Sequence, residues 1–258
     1  MTKPFLLLTG DDSVRAEGLI LIKRIVEKFA DFQIIATKEQ HSACGAKLSL
    51  KGGEWGKEVV DGVEVIWLDG TPADSVFFAF DYLEKSPDLV ISGLNFGENV
   101  SNGMCSSGTI GAAIAAAESR QTPCIAFSMV CSSKHWLKDH DGSFDSSLLE
   151  YPGEIIEKII KRALELGIPE RIFWNVNFPS QKTSKIEIVR TAEDGYWPNY
   201  QDIDDKSFKY RPVVERKGWA RGTDSGELVK NSITVTPCKV EFTHRKELQR
   251  LKNIKFLS

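Results

Sequence analysis

Short apolar runs alternate with longer amphipathic stretches through about the first 180 residues of this 258-residue chain, and that alternation restricts the fold more than any other feature. A short apolar run between turn residues has the length of a buried strand, and the stretch after it, with apolar residues at helical spacing, has the length of a crossover helix. Repeated along the chain, the two make βαβ units and a mainly parallel sheet with helices on its faces, an α/β fold.

Pro4 to Leu8 reads as the first buried strand. After a loop holding Asp11 and Asp12, the segment Gly18 to Phe29 carries Leu19, Ile20, Ile22, Ile25, Val26 and Phe29 at near-helical spacing. Phe32 to Ala36 is a second strand, followed by a loop of polar and small residues from Thr37 to Gly53. Val63 to Leu68 is a strand, Thr71 to Glu84 a helix and Asp88 to Ser92 a compact strand. Thr109 to Ser119, dense in Ala and Ile, is apolar on most sides and so a buried helix. Cys124 to Met129 and Ile172 to Val176 add two strands around a helix from Gly153 to Leu166, and the polar stretch Cys131 to Ser147 is a surface loop.

Beyond Pro179 the pattern changes to short β-type runs, Ile186 to Val189 and Ile233 to Val235, with a long polar and aromatic stretch between them and a basic helical segment, Thr243 to Lys252, after them. The expected organisation is one domain over 1–258, with a catalytic core over 1–180 and a β-rich extension over 181–258. The aromatic stretch Tyr196 to Trp219 is more than a small hairpin buries on itself, which points to a homodimer or homotetramer.

Hydrophobic residues at 41% and charged residues at 27% imply a packed core rather than disorder. A net charge of −3 provides no basic field for holding duplex nucleic acid. The N-terminal apolar run is too short and too soon charged for a signal peptide, and no run reaches the about 18 to 20 apolar residues of a membrane span, so a cytoplasmic location is expected. The five cysteines, Cys44, Cys105, Cys124, Cys131 and Cys238, are scattered without a C-x-x-C pair and read as reduced thiols.

Three polar clusters follow three strands of the expected parallel sheet: Asp11 and Asp12 after the first, Ser42 after the second, Asn95 after Asp88 to Ser92. Ligands of open parallel sheets bind outside the carboxyl ends of the strands, so these loops can converge. Two carboxylates, a hydroxyl and an amide oxygen form an all-oxygen set suited to Mg²⁺ or Mn²⁺ and poorly suited to zinc. An Asp-Asp pair by itself is a weak signal, because Asp12 or Ser13 also serves as a helix cap. Two adjacent carboxylates kept ionised at a strand end, however, favour a cation between them.

Ser106-Ser107-Gly108-Thr109 lies directly before the alanine-rich helix. A helix N-terminus offers unpaired N–H groups and partial positive charge, which cradle phosphate. The same residues also make an ordinary N-cap. The four histidines, His41, His135, His140 and His244, lack metal-ligand spacing. No G-x-S-x-G elbow stands at a strand-to-helix turn, no Walker A pattern occurs, and Gly93 to Asn99 lacks the dinucleotide spacing.

In order along the chain, Thr9-Gly-Asp-Asp-Ser13, Ala16-Glu-Gly-Leu19, His41-Ser42 with Leu48-Ser-Leu50, Gly70-Thr-Pro-Ala-Asp74 and Ser92-Gly-Leu-Asn-Phe-Gly-Glu-Asn99 resemble the survival protein E (SurE) family of metal-dependent nucleotidases. Ser107-Gly-Thr109, Asn175-Val-Asn-Phe-Pro179, Gly222-Thr-Asp224 and Ser232-Ile-Thr-Val-Thr-Pro237 are similar to its later landmarks. The resemblance implies a Rossmann-like three-layer core, a C-terminal extension used in oligomer contacts, and hydrolysis of nucleoside monophosphates, with the 5′ or 3′ position left open. Carried over by position, Asp11, Asp12, Ser42 and Asn95 would hold one divalent cation, Mg²⁺ or Mn²⁺. Ser107, Gly108 and Thr109 would hold the phosphate, and either Asp11 or Asp12 would take a proton from water.

The chain departs from the family pattern at Gly10, where asparagine is usual, and at Ser13 and Ala43, where glycine is usual. Two other readings stay open on sequence: a metal-independent α/β hydrolase or glycosyl-transfer enzyme using the carboxylates for acid/base work, and a nucleotide-binding or stress-related scaffold with weakened catalysis.

Overall fold

A computed structural model describes residues 3–119, 121–131, 140–193, 199–201, 203, 206–211 and 220–254. The elements in chain order are β1 (Phe5–Thr9), α1 (Glu17–Val26), β2 (Asp31–Thr37), β3 (Trp55–Val60), β4 (Val63–Leu68), α2 (Pro72–Tyr82), β5 (Leu89–Phe96), α3 (Gly108–Ser119) and β6 (Cys124–Met129). There follow α4 (Glu154–Leu166), β7 (Phe173–Phe178), β8 (Ile186–Ile188), β9 (Asn199–Gln201), β10 (Lys209–Arg211), α5 (Asp224–Leu228), β11 (Ile233–Cys238) and α6 (Arg245–Leu251).

Among the described residues, nine strands form one sheet in the order β3-β4-β2-β1-β5-β6-β7-β11-β8. Strands β4, β2, β1, β5, β6 and β7 run parallel, while β3 and β11 pair antiparallel to β4 and β7. Side chains alternate across the sheet. Leu6 and Leu8 of β1 join Ile34 and Ile91 beneath α1 and α4, whereas Leu7 joins Ile35 and Val90 beneath α2 and α3. The result is the three-layer α/β fold expected from the alternation, because a parallel strand buried on both faces reads as a continuous apolar run.

Two elements escape the apolar pattern. Strand β3 alternates exposed and half-buried residues at the sheet edge, and the two-residue turn that joins it to β4 is Asp61-Gly62, with φ of 46° and 79°. Asp-Gly between two short runs is a hairpin signal, and it stands in the sequence. Helix α5 spans five residues, capped by Thr223, whose Oγ1 accepts from the Gly226 N–H at 3.1 Å.

The segment beyond residue 180 contributes to both sheets. Strands β8 and β11 extend the main sheet past β7, and β9 and β10 pair with each other. Most of the aromatic stretch Tyr196 to Trp219 lies outside the described residues, as do residues 132–139 of the polar loop, His135 among them. No helix among the described residues is long and apolar enough to cross a membrane.

Candidate active site

The chain winds outward in one direction through β1, β2 and β4 and in the other through β5, β6 and β7. The switch point therefore lies between β1 and β5, the crevice where open α/β sheets bind ligands. Asp11 and Asp12 follow β1 there. Asn95 sits on β5 itself, whose pairing with β1 stops at Ser92 and whose register on β6 shifts between Ser92 and Asn95. That irregularity carries the strand on to Phe96, past the Ser92 boundary that the apolar run suggests.

Hydrogen bonds draw the loops together around Asp11. Its backbone carbonyl accepts from the His41 N–H at 2.7 Å, and its carboxylate Oδ1 accepts from Thr109 Oγ1 at 2.7 Å. Asp12 Oδ1 accepts from Gln40 Nε2 at 3.4 Å, and the backbone of Phe96 also bonds this carboxylate. The loop after β2, the strand end of β5 and the first turn of α3 thus meet at one carboxylate pair. Ser42, exposed in a turn, stands one residue beyond the His41 to Asp11 bond. Asn95 Nδ2 donates to the Gly97 carbonyl at 2.6 Å, and Oδ1 of its amide accepts nothing among the described residues.

The approach of these loops to α3 depends on glycine. A Cβ on Gly108 would lie 2.8 Å from Asp11 Cβ and Oδ2, and one on Gly111 would lie 2.2 Å from the Gly45 carbonyl. The small residues of α3 therefore let the loop after β2 lie directly on the helix. That loop is held at its far end by α2, where Asp74 accepts from the Ser49 and Thr71 N–H groups and Thr71 Oγ1 donates to the Lys47 carbonyl. Thr71-Pro-Ala-Asp74 is a capping box.

Both carboxylates are out of water, Asp11 at 4% exposure and Asp12 at 7%. Burial, and then the neighbouring Asp12 charge, push the Asp11 carboxyl up to about 7, and burial also raises that of Asp12. No cationic side chain bonds either carboxylate among the described residues. Two desolvated carboxylates without a counter-charge fit a bound cation. No cluster of three His, Cys, Asp or Glu side chains arranged as a metal site occurs among the described residues, so a cation on this carboxylate pair would need ligands of other types.

Ser107 plays the ordinary part of a cap, its Oγ accepting from the Ile110 N–H at 3.2 Å. Thr109 gives Asp11 both its hydroxyl and its backbone N–H, and the Ile110 N–H goes to Ser107. Gln40 gives no advance sign of its contact with Asp12, because a lone amide in a polar loop has no pattern. The Gly10 departure leaves room: a Cβ there would meet only Gly93 atoms, at 3.8 and 3.9 Å. Ser13 and Ala43, in contrast, hold φ of 91° and 61°, the region that favours glycine.

A doubly wound α/β sheet with a buried carboxylate pair and a helix N-terminus at its switch point defines a class: open α/β proteins that receive an anionic ligand in a crevice between two loops. Within that class, the chain belongs to the Survival protein SurE family, whose family model matches residues 6–198. It is 34% identical over 260 residues to the 5′-nucleotidase SurE of Thermococcus gammatolerans, covering 97% of this chain and 96% of that protein. It is 32% identical over 255 residues to the 5′-nucleotidase SurE of Wolbachia pipientis subsp. Culex pipiens, covering 96% and 93%. The crystal structure of SurE protein from Aquifex aeolicus superposes with a TM-score of 0.78 at 25% identity, over 96% of this chain and 98% of that one.

Proposed function

We infer that the chain is a 5′-nucleotidase, a phosphoric monoester hydrolase that releases phosphate from nucleoside monophosphates and acts with a divalent cation. The observation that carries this reading is the Thr109 to Asp11 bond, which sets a buried carboxylate pair against the N-terminus of a twelve-residue helix. The substrate's phosphate then has a donor surface beside the carboxylates.

Asp11, Asp12, Ser42 and Asn95 would hold the cation, Mg²⁺ or Mn²⁺, which when bound supplies Lewis-acid polarisation of a phosphoryl oxygen and acidifies water. The rest falls to the chain. The first turn at Ser107, Gly108 and Thr109 binds the phosphate oxygens, chiefly through the Gly108 N–H because the Thr109 N–H bonds Asp11, and faces the charge that develops on them. Thr109 holds the Asp11 carboxylate in place. Asp11 or Asp12 takes the proton from the attacking water. The buried floor of Leu8, Ile91 and Leu94 excludes bulk water beneath the site.

The test is a panel of phosphate esters, including 5′- and 3′-monophosphates, assayed with Mg²⁺, with Mn²⁺ and in EDTA. Turnover of 5′-monophosphates that disappears in EDTA and returns with Mn²⁺ supports the reading. Full turnover in EDTA would assign a metal-independent hydrolase, and none under any condition would assign a scaffold.

A cytoplasmic location and a homodimer or homotetramer belong to the same reading. Five free thiols support a reducing compartment. Helix α6 has no buried residue, and Phe242 before it is 93% exposed, which supports a second subunit as its partner. Light scattering at micromolar concentration distinguishes a monomer from these assemblies.

A further inference from the structure

The segment from Gly97 to Ser106 joins the two halves of the site, running from Asn95 on β5 to the cap of α3. It has little apolar content, so outside contacts must fix its path. Asn99 bonds β6 and β7: its Nδ2 donates to Ser128 Oγ at 2.8 Å, its N–H to Asn177 Oδ1 at 2.8 Å, and its carbonyl accepts from Asn175 Nδ2 at 2.7 Å. Ser101, which opens the 3₁₀ turn Ser101–Ser106, holds φ of 55° and is 2% exposed. A serine stays in that region only where its surroundings hold it.

The holding group comes from the far end of the chain. The Ser101 N–H donates to Asp224 Oδ2 at 2.9 Å, while Asp224 Oδ1 accepts from the Ala192 N–H at 2.9 Å and the Ser225 N–H at 2.7 Å. Asp224 is fully buried, and its charge is met by three backbone N–H groups rather than by a cationic side chain among the described residues. From the same short helix, Leu228 packs on Val100 and Val130. Helix α5 therefore grips both residues at the start of the turn, Val100 by packing and Ser101 by charge.

We propose that Asp224 is a positioning residue for the phosphate subsite: its carboxylate fixes the turn that sets the N-terminus of α3 against Asp11. The proposal rests on the reading of Ser107, Gly108 and Thr109 as phosphate-binding. Asp224→Asn keeps the shape but turns an NH₂ toward one of three N–H donors, so the turn should loosen without opening a cavity.

In Asp224→Asn, KM for a nucleoside monophosphate and the inhibition constant of inorganic phosphate should each rise about tenfold, and half-saturation by Mn²⁺ should stay within about twofold, since the carboxylate pair is untouched. Amide exchange over 100–107 should quicken. The control is Ile160→Val, which weakens the core under α4 and leaves both the carboxylate and the packing on the turn in place. Unchanged KM and phosphate inhibition in folded Asp224→Asn, or the same change in Ile160→Val at equal loss of Tm, would overturn the proposal. If Asp224→Asn does not fold, Asp224→Glu, which keeps the charge but displaces both oxygens, is expected to show the same split and decides in its place. A wild-type protein that neither turns over phosphate esters nor binds phosphate would sink the functional reading instead, and unchanged exchange at Ser101 in the variant would then sink the tether separately.

Discussion

Thr109 Oγ1 lies 2.7 Å from Asp11 Oδ1, and this one bond ties the first turn of α3 to the loop after β1 across 98 residues of sequence. Because Thr109 is fully buried, its hydroxyl has no water to turn to. Thr109→Val keeps the shape and removes the hydroxyl donor, leaving the buried carboxylate with backbone N–H bonds alone. It should cost about 2 kcal/mol of stability in the metal-free protein and lower kcat/KM by about tenfold or more. Thr109→Ser, which keeps the hydroxyl, should restore most of the rate. Equal activity for the valine and serine variants would remove Thr109 from the machinery.

Asn95 separates a ligand from a turn residue. If its Oδ1 completes the cation site, Asn95→Ala should lower turnover at least about tenfold while thermal unfolding stays close to wild type. Asn95→Asp adds a third carboxylate beside Asp11 and Asp12, so its response to Mg²⁺ and Mn²⁺ concentration should change and the phosphate dianion should bind more weakly. Turnover titrations against both metals read the two effects. Near-native kinetics and metal response in both variants would leave Asn95 as a residue that merely bonds the Gly97 carbonyl.

The pH dependence of stability follows from Asp11. Its carboxyl is raised from 3.8 to about 7 by burial and by the Asp12 charge, so between those values the folded chain keeps a proton that the unfolded chain has released. The stabilisation is complete below about pH 4 and is lost as pH rises to about 7. In EDTA, Tm should therefore fall over that window from this group. Added Mn²⁺ should raise Tm more at pH 7.5 than at pH 5, because the cation competes with the proton for the same oxygens. An equal Mn²⁺ effect at both pH values would contradict the assignment of the carboxylates.

Ala43 and Ser13 hold the backbone in a region that glycine enters without strain, with φ of 61° and 91°. Ala43→Gly exchanges about 1 to 2 kcal/mol of strain for up to about 1 kcal/mol of chain entropy, so Tm should rise by about 2 °C or stay level. Ser13→Gly also loses the hydroxyl that accepts from the Arg15 N–H at 3.2 Å, and should gain less. Calorimetry of both variants checks the order. A drop of several degrees for Ala43→Gly would show that the methyl group makes a contact that outweighs the strain.

The class of fold was legible because β1, β4 and β6 are apolar runs of strand length and α1 and α4 carry their apolar residues on one side. The edge strand β3 was not read as a strand: one face, with Trp55, Lys57 and Val59, meets water and the other, with Gly56 and Glu58, is only half-buried, so neither shows the apolar signal of a buried strand. Helix α5 was missed because five residues are too few to show a period. Around the site, Asp11, Asp12, Asn95 and Ser107 to Thr109 stand out by type and by position after a strand or before a helix. Gln40 and Asp224 carry no such mark.

What the chain determines by itself is local: which segments are buried, which end in polar clusters, and where glycine and hydroxyl residues gather before a helix. Tertiary structure decided which of those clusters meet, since the switch between β1 and β5 places Asp11 beside Thr109, a residue 98 positions away. It also decided that Thr109 bonds a carboxylate and that Asp224 holds the turn leading to α3. The physical reason is that periodicity reports how each residue faces water, whereas a hydrogen bond between distant segments depends on the packing of every layer between them, which no short window of sequence contains.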